Sequence, residues 1–523
     1  MKLPKEFLAV ISQNNGLKQY LSSLSTGRDF TPRSWLYENQ DPDQILNNWL
    51  NVLSQLESGD TFEKNVYQFD TSQMKKWGPQ GGIAPIQDLL TEIVLPTFAR
   101  DNSPIPKAFD TREWHLAKQA VRDQFYFNSV RGIRQASYSN VVADMRARDT
   151  LESNSGWPDF ARRNRPEVLK AALAAAADGE ALSYPAIALF RNYNQKTRLV
   201  WMFPEGENIL EGSYCQPLQS RIINSGLSDY LYAPWKGFEC VRDAITEAYD
   251  QGKFLAASDF SSTDAHFQLR TTEQVFDVLR YIYQKQVNSG VWATLQRMHT
   301  IPLITGTDEM LTGEHGVSSG SNWTNFIETV FDHIFSYFIN IGYDRRTIAL
   351  CAIGDDICWC SSRFDDAFDK NLEQLGKEVG QEINAEKVTN EEDQVKFLQR
   401  LFQRRYRRSD GKVRAVYSTV RALKSSVYPE RFHKPSTWNS DMFCARQYMI
   451  LENCVDHPLF EAFVKFVVEG QKDLIPFARK SETELKRITR ETKLIPGFNP
   501  TYNQEKRDSS LASFKSIEIA RMI

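Results

Sequence analysis

Apolar positions recur along this chain in two rhythms. Residues 273–287, 322–339 and 365–379 carry them at intervals of three and four, which predicts helices with one buried face. Residues 254–258, 348–353 and 357–360 are short apolar runs that read as buried strands, the last two joined by Gly354-Asp355-Asp356. Residues 185–190 and 197–203 flank a polar stretch at 192–195 and predict a β-hairpin. A further helix is expected over 168–177, with Asn164 as its cap, Pro166 in its first turn and Asp178-Gly179 as its end. The order strand, helix, hairpin, helix, strand predicts an α+β fold in which helices back an antiparallel sheet. Short helical stretches in the first 60 or so residues alternate with breakers such as Gly27, Pro32 and Pro42. No internal repeat or low-complexity linker appears, so lobes are expected to interleave.

Composition narrows the class. At 523 residues, 41% of them hydrophobic, the chain is long enough for several lobes with real interiors. No apolar run approaches the roughly 18 residues needed to cross a bilayer, and no membrane partner is expected. The apolar run near the N-terminus, residues 7–11, is too short for a signal peptide. Seven scattered cysteines read as reduced core thiols rather than as a disulfide or zinc framework. The net charge of −3 does not suggest a protein that coats nucleic acid with its whole surface, and it leaves room for a basic tunnel within an acidic shell.

The chemistry concentrates in three segments. Gly354-Asp355-Asp356 pushes two adjacent carboxylates into one tight turn, a costly arrangement unless a cation neutralises it. An ordinary structural turn accounts for this segment alone equally well. Asp259-Phe-Ser-Ser-Thr-Asp264 follows the predicted strand at 254–258, and either aspartate alone reads as a helix cap. Asp259 and Asp355 are 355 − 259 = 96 residues apart, and neighbouring strands of one sheet could join them. Such a pair suits magnesium, which takes few carboxylates plus substrate phosphates. Between them, Gly316-Val-Ser-Ser-Gly320 leads through Thr324 and Asn325 into a helix, where a phosphate or ribose could be touched or where the residues simply cap the helix.

Asp-x4-Asp, then Ser-Gly-x3-Thr, then Gly-Asp-Asp, in this order, resembles blocks A, B and C of viral RNA-dependent RNA polymerases. Lys196-Thr-Arg198 looks like block F, Lys387 like the lysine of block D, Phe397-Leu-Gln-Arg400 like the primer grip of block E, and Ser155-Gly-Trp-Pro158 like block G. Each outer block is weak alone; Lys196 and Arg198 could be a solvated strand face, and Lys387 any surface lysine. Their shared order carries the resemblance. The flavour of block B is similar to that of double-stranded RNA virus polymerases of the partitivirus and picobirnavirus type.

The resemblance implies an α+β right-hand fold of fingers, palm and thumb around an encircled central cavity. It places an N-terminal segment bridging fingers and thumb at 1–60, fingers at 61–240 and 271–315, palm at 241–270 and 316–424, and the thumb and C-terminal segment at 425–523. It implies template-directed RNA synthesis with two Mg²⁺ or Mn²⁺ ions held by Asp259, Asp355, Asp356 and the main chain of Phe260, with Lys387 as a general acid. Arg191, Lys196, Arg198, Asp264, Ser319, Gly320, Thr324 and Asn325 would bind the nucleotide; Ser155, Gly156, Arg400 and Arg404 would bind RNA. The arginines at 404–408, with Tyr406 and Tyr417 nearby, suit tracking along a strand. Implied partners are RNA template and product, ribonucleoside triphosphates and a viral capsid protein; implied locations are the virion interior and the host-cell cytoplasm.

A reverse transcriptase is the nearer rival, but Gly354 and Asp264 point away from it. A catalytically dead RNA-binding or capsid-associated protein is the other, and it would have no need of the full set of blocks. One departure stands out. Many single-stranded RNA virus polymerases carry asparagine four residues after the block B threonine, where this chain has Glu328. Since Glu328 and Asp264 would repel if both were charged, Glu328 is expected to point away or pair with a base, leaving Thr324 or Asn325 to hold Asp264.

Overall fold

The computed structural model describes residues 1–98, 104–498 and 510–523. They divide into two compact units: residues 1–27, 84–190 and 198–395 in the first, and residues 28–83, 191–197 and 396–523 in the second. The expected lobe boundaries do not follow this division. Residues 61–83, assigned to fingers, and 396–424, assigned to palm, belong to the unit that holds the C-terminus.

In the first unit the named elements are helix α1 (Arg112–Phe127), strands β1 (Ala186–Tyr193) and β2 (Lys196–Met202), helix α2 (Glu205–Ile223), strand β3 (Phe254–Asp259), helix α3 (Leu269–Ile282), strands β4 (Leu303–Ile304) and β5 (Met310–Leu311), helix α4 (Thr324–Gly342), strands β6 (Thr347–Ile353) and β7 (Asp356–Ser361), helix α5 (Phe368–Glu378) and strand β8 (Thr389–Asn390). The tip of the β1–β2 hairpin, 191–197, counts with the second unit. β6, β7, β3 and β8 form one antiparallel sheet in that order. The hairpin joins β4 and β5 in another, where β1 and β4 run parallel.

α4 backs the antiparallel sheet because its sequence is apolar nearly all round. Ile327, Val330, Phe331, Ile334 and Phe335 are fully buried, each large side chain worth roughly 1.5–3 kcal/mol in burial. Trp114 of α1 packs against Phe331 and Phe338 at ring distances of 5.8 and 5.5 Å. The Ser336 hydroxyl accepts the Ala349 N–H of β6 at 2.7 Å, pinning helix to sheet. The helix expected near 168 runs Pro166–Asp178 and ends at Gly179 in the left-handed region, as its Asp-Gly signal predicts. Asn164 does not cap it: the cap position falls on Arg165, and the Asn164 amide donates to Glu152.

The second unit contains strands β9 (Gln394–Phe397), β10 (Arg400–Gln403) and β11 (Val416–Tyr417), followed by helix α6 (Thr419–Val427); β9 begins within the first unit. Its core gathers Trp49, Leu423, Phe443, Tyr448 and Phe463. Buried Asp70 accepts from the hydroxyls of Ser418 and Thr419, from the Val420 N–H and from His457, which fixes the start of α6. All seven cysteines are free. Among the described residues no helix is long and apolar enough to cross a membrane.

Candidate active site

Antiparallel pairing brings the carboxylates together. Asp259, last in β3, stands opposite Asp356, first in β7, and Ile353 of β6 pairs with the same Asp356. The β6–β7 turn is therefore only Gly354 and Asp355. Gly354 adopts φ +60°, a conformation glycine reaches without steric cost, and its N–H is held by the Thr329 hydroxyl of α4 at 2.9 Å. Asp355 is fixed by two contacts from the β3 end: its carbonyl accepts the Phe260 N–H at 3.2 Å, and its carboxylate accepts the Thr263 hydroxyl at 3.4 Å.

Burial holds the Asp355 carboxyl above its usual range, with Asp259 adding repulsion and Arg198 opposing it. Burial, then Asp355 and Asp259, pushes Asp356 up to about 8. Crowded oxygen donors of this kind fit a hard divalent cation, which would take the place of the missing positive charge. As the side chains stand, no group of three or more His, Cys, Asp or Glu among the described residues is closed round one point.

The loop before α4 lies against both neighbours of the turn. A Cβ on Gly316 would sit 1.8 Å from the Asp264 carbonyl oxygen, and one on Gly320 would sit 1.8 Å from that of Trp201 in β2. Both positions need glycine for close approach rather than for dihedral freedom. Ser319 is exposed, and its hydroxyl accepts the Trp201 N–H at 3.3 Å. The Thr324 hydroxyl is committed to the Ser318 carbonyl at 2.6 Å. Asn325 is exposed, and its amide lies over Gly354, 3.0 Å from where a Cβ would stand.

Glu328 overturns an expectation. It neither points away nor pairs with a base; it is buried, with its carboxyl oxygen also over Gly354. Burial first, then Asp355 and Asp264, holds its carboxyl far above the carboxylate range. Repulsion is relieved by a proton instead of by distance. Asp332, one turn further along α4, was not anticipated at all. It is fully buried, its oxygens have no hydrogen-bond partner, and burial, Glu328, Asp355 and Asp356 raise it in the same sense. The available signal was an acidic i, i+4 pair within a run of phenylalanine and valine.

The outer candidates divide. Arg198 is exposed and near enough to Asp355 and Asp356 to favour their charged forms. Lys196 is exposed at the hairpin tip, and Arg404 is half-buried after β10. Arg191 is held bidentate by Glu430, at 2.7 and 2.8 Å. Lys387 is exposed, two residues before β8, which pairs with β3.

Three residues expected to contact RNA are buried. Ser155 is 2% exposed, its hydroxyl taken by the Ala161 N–H. Gly156 is buried beside it, at φ +66° and tight against the Phe203 carbonyl. Arg400 is 3% exposed, donates to the carbonyls of Ala415 and Asn453, and packs over the Tyr417 ring. It ties strands together.

The family model described as viral RNA-dependent RNA polymerase matches residues 193–431, a span that contains every carboxylate above. A curated relative, the potential RNA-dependent RNA polymerase of a human picobirnavirus (strain Human/Thailand/Hy005102/-), is 27% identical over 489 residues, covering 88% of this chain and 86% of its own length. The crystal structure of the RNA-dependent RNA polymerase of a human picobirnavirus has the same fold, with a TM-score of 0.78 at 23% identity over 99% of this chain and 98% of that one. An insertion-loop deletion mutant of that polymerase matches with a TM-score of 0.78 at 23% identity over the full length of both chains. With the fold, the order of the blocks and the facing carboxylates in agreement, the chain is similar to the viral RNA-dependent RNA polymerases, those of picobirnaviruses among them, and is an RNA-directed RNA polymerase.

Proposed function

We propose that Asp259, Asp355 and Asp356 are the centre at which this polymerase joins ribonucleotides on an RNA template, replicating and transcribing a double-stranded RNA genome. One observation carries the assignment: the sheet register sets Asp259 against Asp356 with Asp355 in the turn between strands, and Arg198 is the cation that tempers them. Asp259 and Asp355, with Asp356 and the Phe260 carbonyl in support, would hold two Mg²⁺ or Mn²⁺ ions. Bound there, the ions supply activation of the 3′-hydroxyl and neutralisation of the leaving pyrophosphate.

The remaining roles belong to side chains of this chain. Arg198 and Lys196 receive the triphosphate. Asp264, backed by Gly316, faces the ribose 2′-hydroxyl with Asn325, because Thr324 has spent its hydroxyl on Ser318. Lys387 gives a proton to the leaving pyrophosphate. A viral capsid protein as partner, and the virion interior and host cytoplasm as locations, follow from the resemblance; co-sedimentation with particles tests them.

The decisive assay is extension on single-stranded RNA with labelled nucleotides and Mg²⁺ or Mn²⁺. Asp259→Asn and Asp355→Asn should each lower turnover by several orders of magnitude, since neutralisation and nucleophile activation go together. Elongation by Asp355→Asn at the normal rate would remove the assignment. Ribonucleotides should be incorporated in preference to deoxyribonucleotides; the reverse would favour a reverse transcriptase.

A further inference from the structure

Behind the loop at 316–323 lies the first half of α2, where residues 205–215 are all buried, three of them glutamates. Buried charge is expensive unless bonded. Only one of the three reaches the loop. Glu211 accepts the Ser321 hydroxyl at 2.5 Å on one oxygen, and the Asn322 N–H at 2.9 Å on the other. Asn208, one turn earlier, donates to the Gly320 carbonyl at 3.1 Å and accepts from the Asn322 amide on its own carbonyl at 2.8 Å.

These bonds answer a need at the start of α4. The first N–H groups of a helix require outside acceptors. Trp323, at the cap position, makes no side-chain cap. The Ser321 hydroxyl instead accepts the Trp323 N–H at 3.1 Å while donating its own proton to Glu211. A carboxylate on another helix therefore caps α4 through a serine. Asn325 and Glu328, which lie over Gly354, sit in the first turns beyond this anchor.

We propose that Glu211 is a positioning residue for sugar selection, acting through Ser321 and Asn322 to set where α4 presents Asn325. The proposal rests on the reading that Asp264 and Asn325 face the ribose 2′-hydroxyl. Glu211→Gln keeps size and burial but replaces one acceptor oxygen with an N–H₂ that faces another donor. Either the Asn322 anchor breaks, or the Ser321 hydroxyl must turn round to accept from the N–H₂ and gives up the bond it donates; both loosen the first turn of α4.

The test compares ribonucleotide and deoxyribonucleotide incorporation on one template. Glu211→Gln and Ser321→Ala should each lower the ratio of their kcat/KM values by about tenfold, the worth of one hydrogen bond to a charged group, mainly through the ribonucleotide KM. RNA affinity should hold. The double variant should lose little more than one single variant, because both remove the same bond. Glu205→Gln is the control: it too is buried on α2, and its carboxylate bonds to nothing. A Glu205→Gln loss equal to that of Glu211→Gln, or an additive double variant, would overturn the proposal. Asp264→Ala separates the layers. If it erodes the ratio and Glu211→Gln does not, the positioning role falls while the sugar reading stands; if neither moves the ratio, both fall.

Discussion

A carboxyl group enclosed with other carboxyl groups stays buried either by keeping a proton or by sharing a cation. Both solutions meet around Gly354. Asp259 and Asp355 stand where a shared cation would sit, whereas Glu328 is pushed toward its neutral form by burial, Asp355 and Asp264, and Asp332 by burial, Glu328, Asp355 and Asp356. The two kinds should respond oppositely to amide substitution. Glu328→Gln replaces a neutral acid by a neutral amide of the same shape, so single-turnover rates should stay within about threefold of wild type and the Tm within a few degrees. A collapse as deep as that expected for Asp355→Asn would show Glu328 to be ionised and part of the metal-binding set. Lys387 is the opposite case, an exposed group that no neighbour explains. If it supplies the proton for pyrophosphate, Lys387→Leu should slow the chemical step at least tenfold, within the roughly 10²–10⁴-fold range of general acids, and leave RNA affinity unchanged. Single-turnover rates equal to wild type would reduce it to a surface charge. Asp259 and Asp355 were legible as residues because their strands and turn are local. The protonation of Glu328 was not, since it depends on which way α4 faces.

At the level of elements, local signals succeeded and long-range ones failed. The strands around the Asp-Asp turn and the hairpin at 186–202 follow from short apolar runs bounded by turn residues. The burial of Ser155 and Arg400 depends on partners that no local pattern announces: Ala161 across a tight turn, and Asn453 more than fifty residues away along the chain. The same holds for the two loop glycines. Their spacing read equally well as a capped helix start, yet each marks a place where main chain meets main chain from another element. Gly320→Ala would drive a Cβ to 1.8 Å from the Trp201 carbonyl oxygen, a backbone atom that cannot swing aside. Either β2 or the loop must move, carrying Arg198 or Asn325 with it. Nucleotide incorporation should fall by two or more orders of magnitude, with a lower Tm. Gly306→Ala, where a Cβ meets nothing within 4 Å, should leave both unchanged. A normal rate in Gly320→Ala would show that the loop is free of β2 during synthesis.

Across the whole molecule, the raised acids predict an unusual response to pH. A carboxyl whose folded pKa exceeds its unfolded value keeps a proton that the unfolded chain has released, so stability falls as pH climbs between the two values. Asp356, pushed up to about 8, Glu205 and Glu211, each pushed up to about 7, and Glu207, Glu328 and Asp332, raised well above the carboxylate range by burial, all act in this sense. Buried His299, His315 and His333, lowered to about 3, 4 and 3, act oppositely. Their contribution is lost only as pH drops below the unfolded histidine value of about 6.5, so above that it is constant. Lys424, lowered to about 7 by burial and by Arg421 and Lys76, adds stability as pH rises past 7. It is one group against the six raised acids. Between about pH 6.5 and 8 the protein stripped of divalent ions should therefore lose stability, each net proton contributing about 1.4 kcal/mol per pH unit. If Mg²⁺ binds at Asp355 and Asp356 as proposed, it must compete with their protons, so its stabilising increment should be larger at pH 8 than at pH 6.5. Asp356→Asn should raise the Tm of the stripped protein at pH 8 and shrink the Mg²⁺ increment there. Melting curves at the two pH values, with chelator and with Mg²⁺, decide the matter. A Tm that rises between them without ions, together with the same Mg²⁺ increment at both, would mean that the carboxylates around Gly354 are not the groups holding the protons.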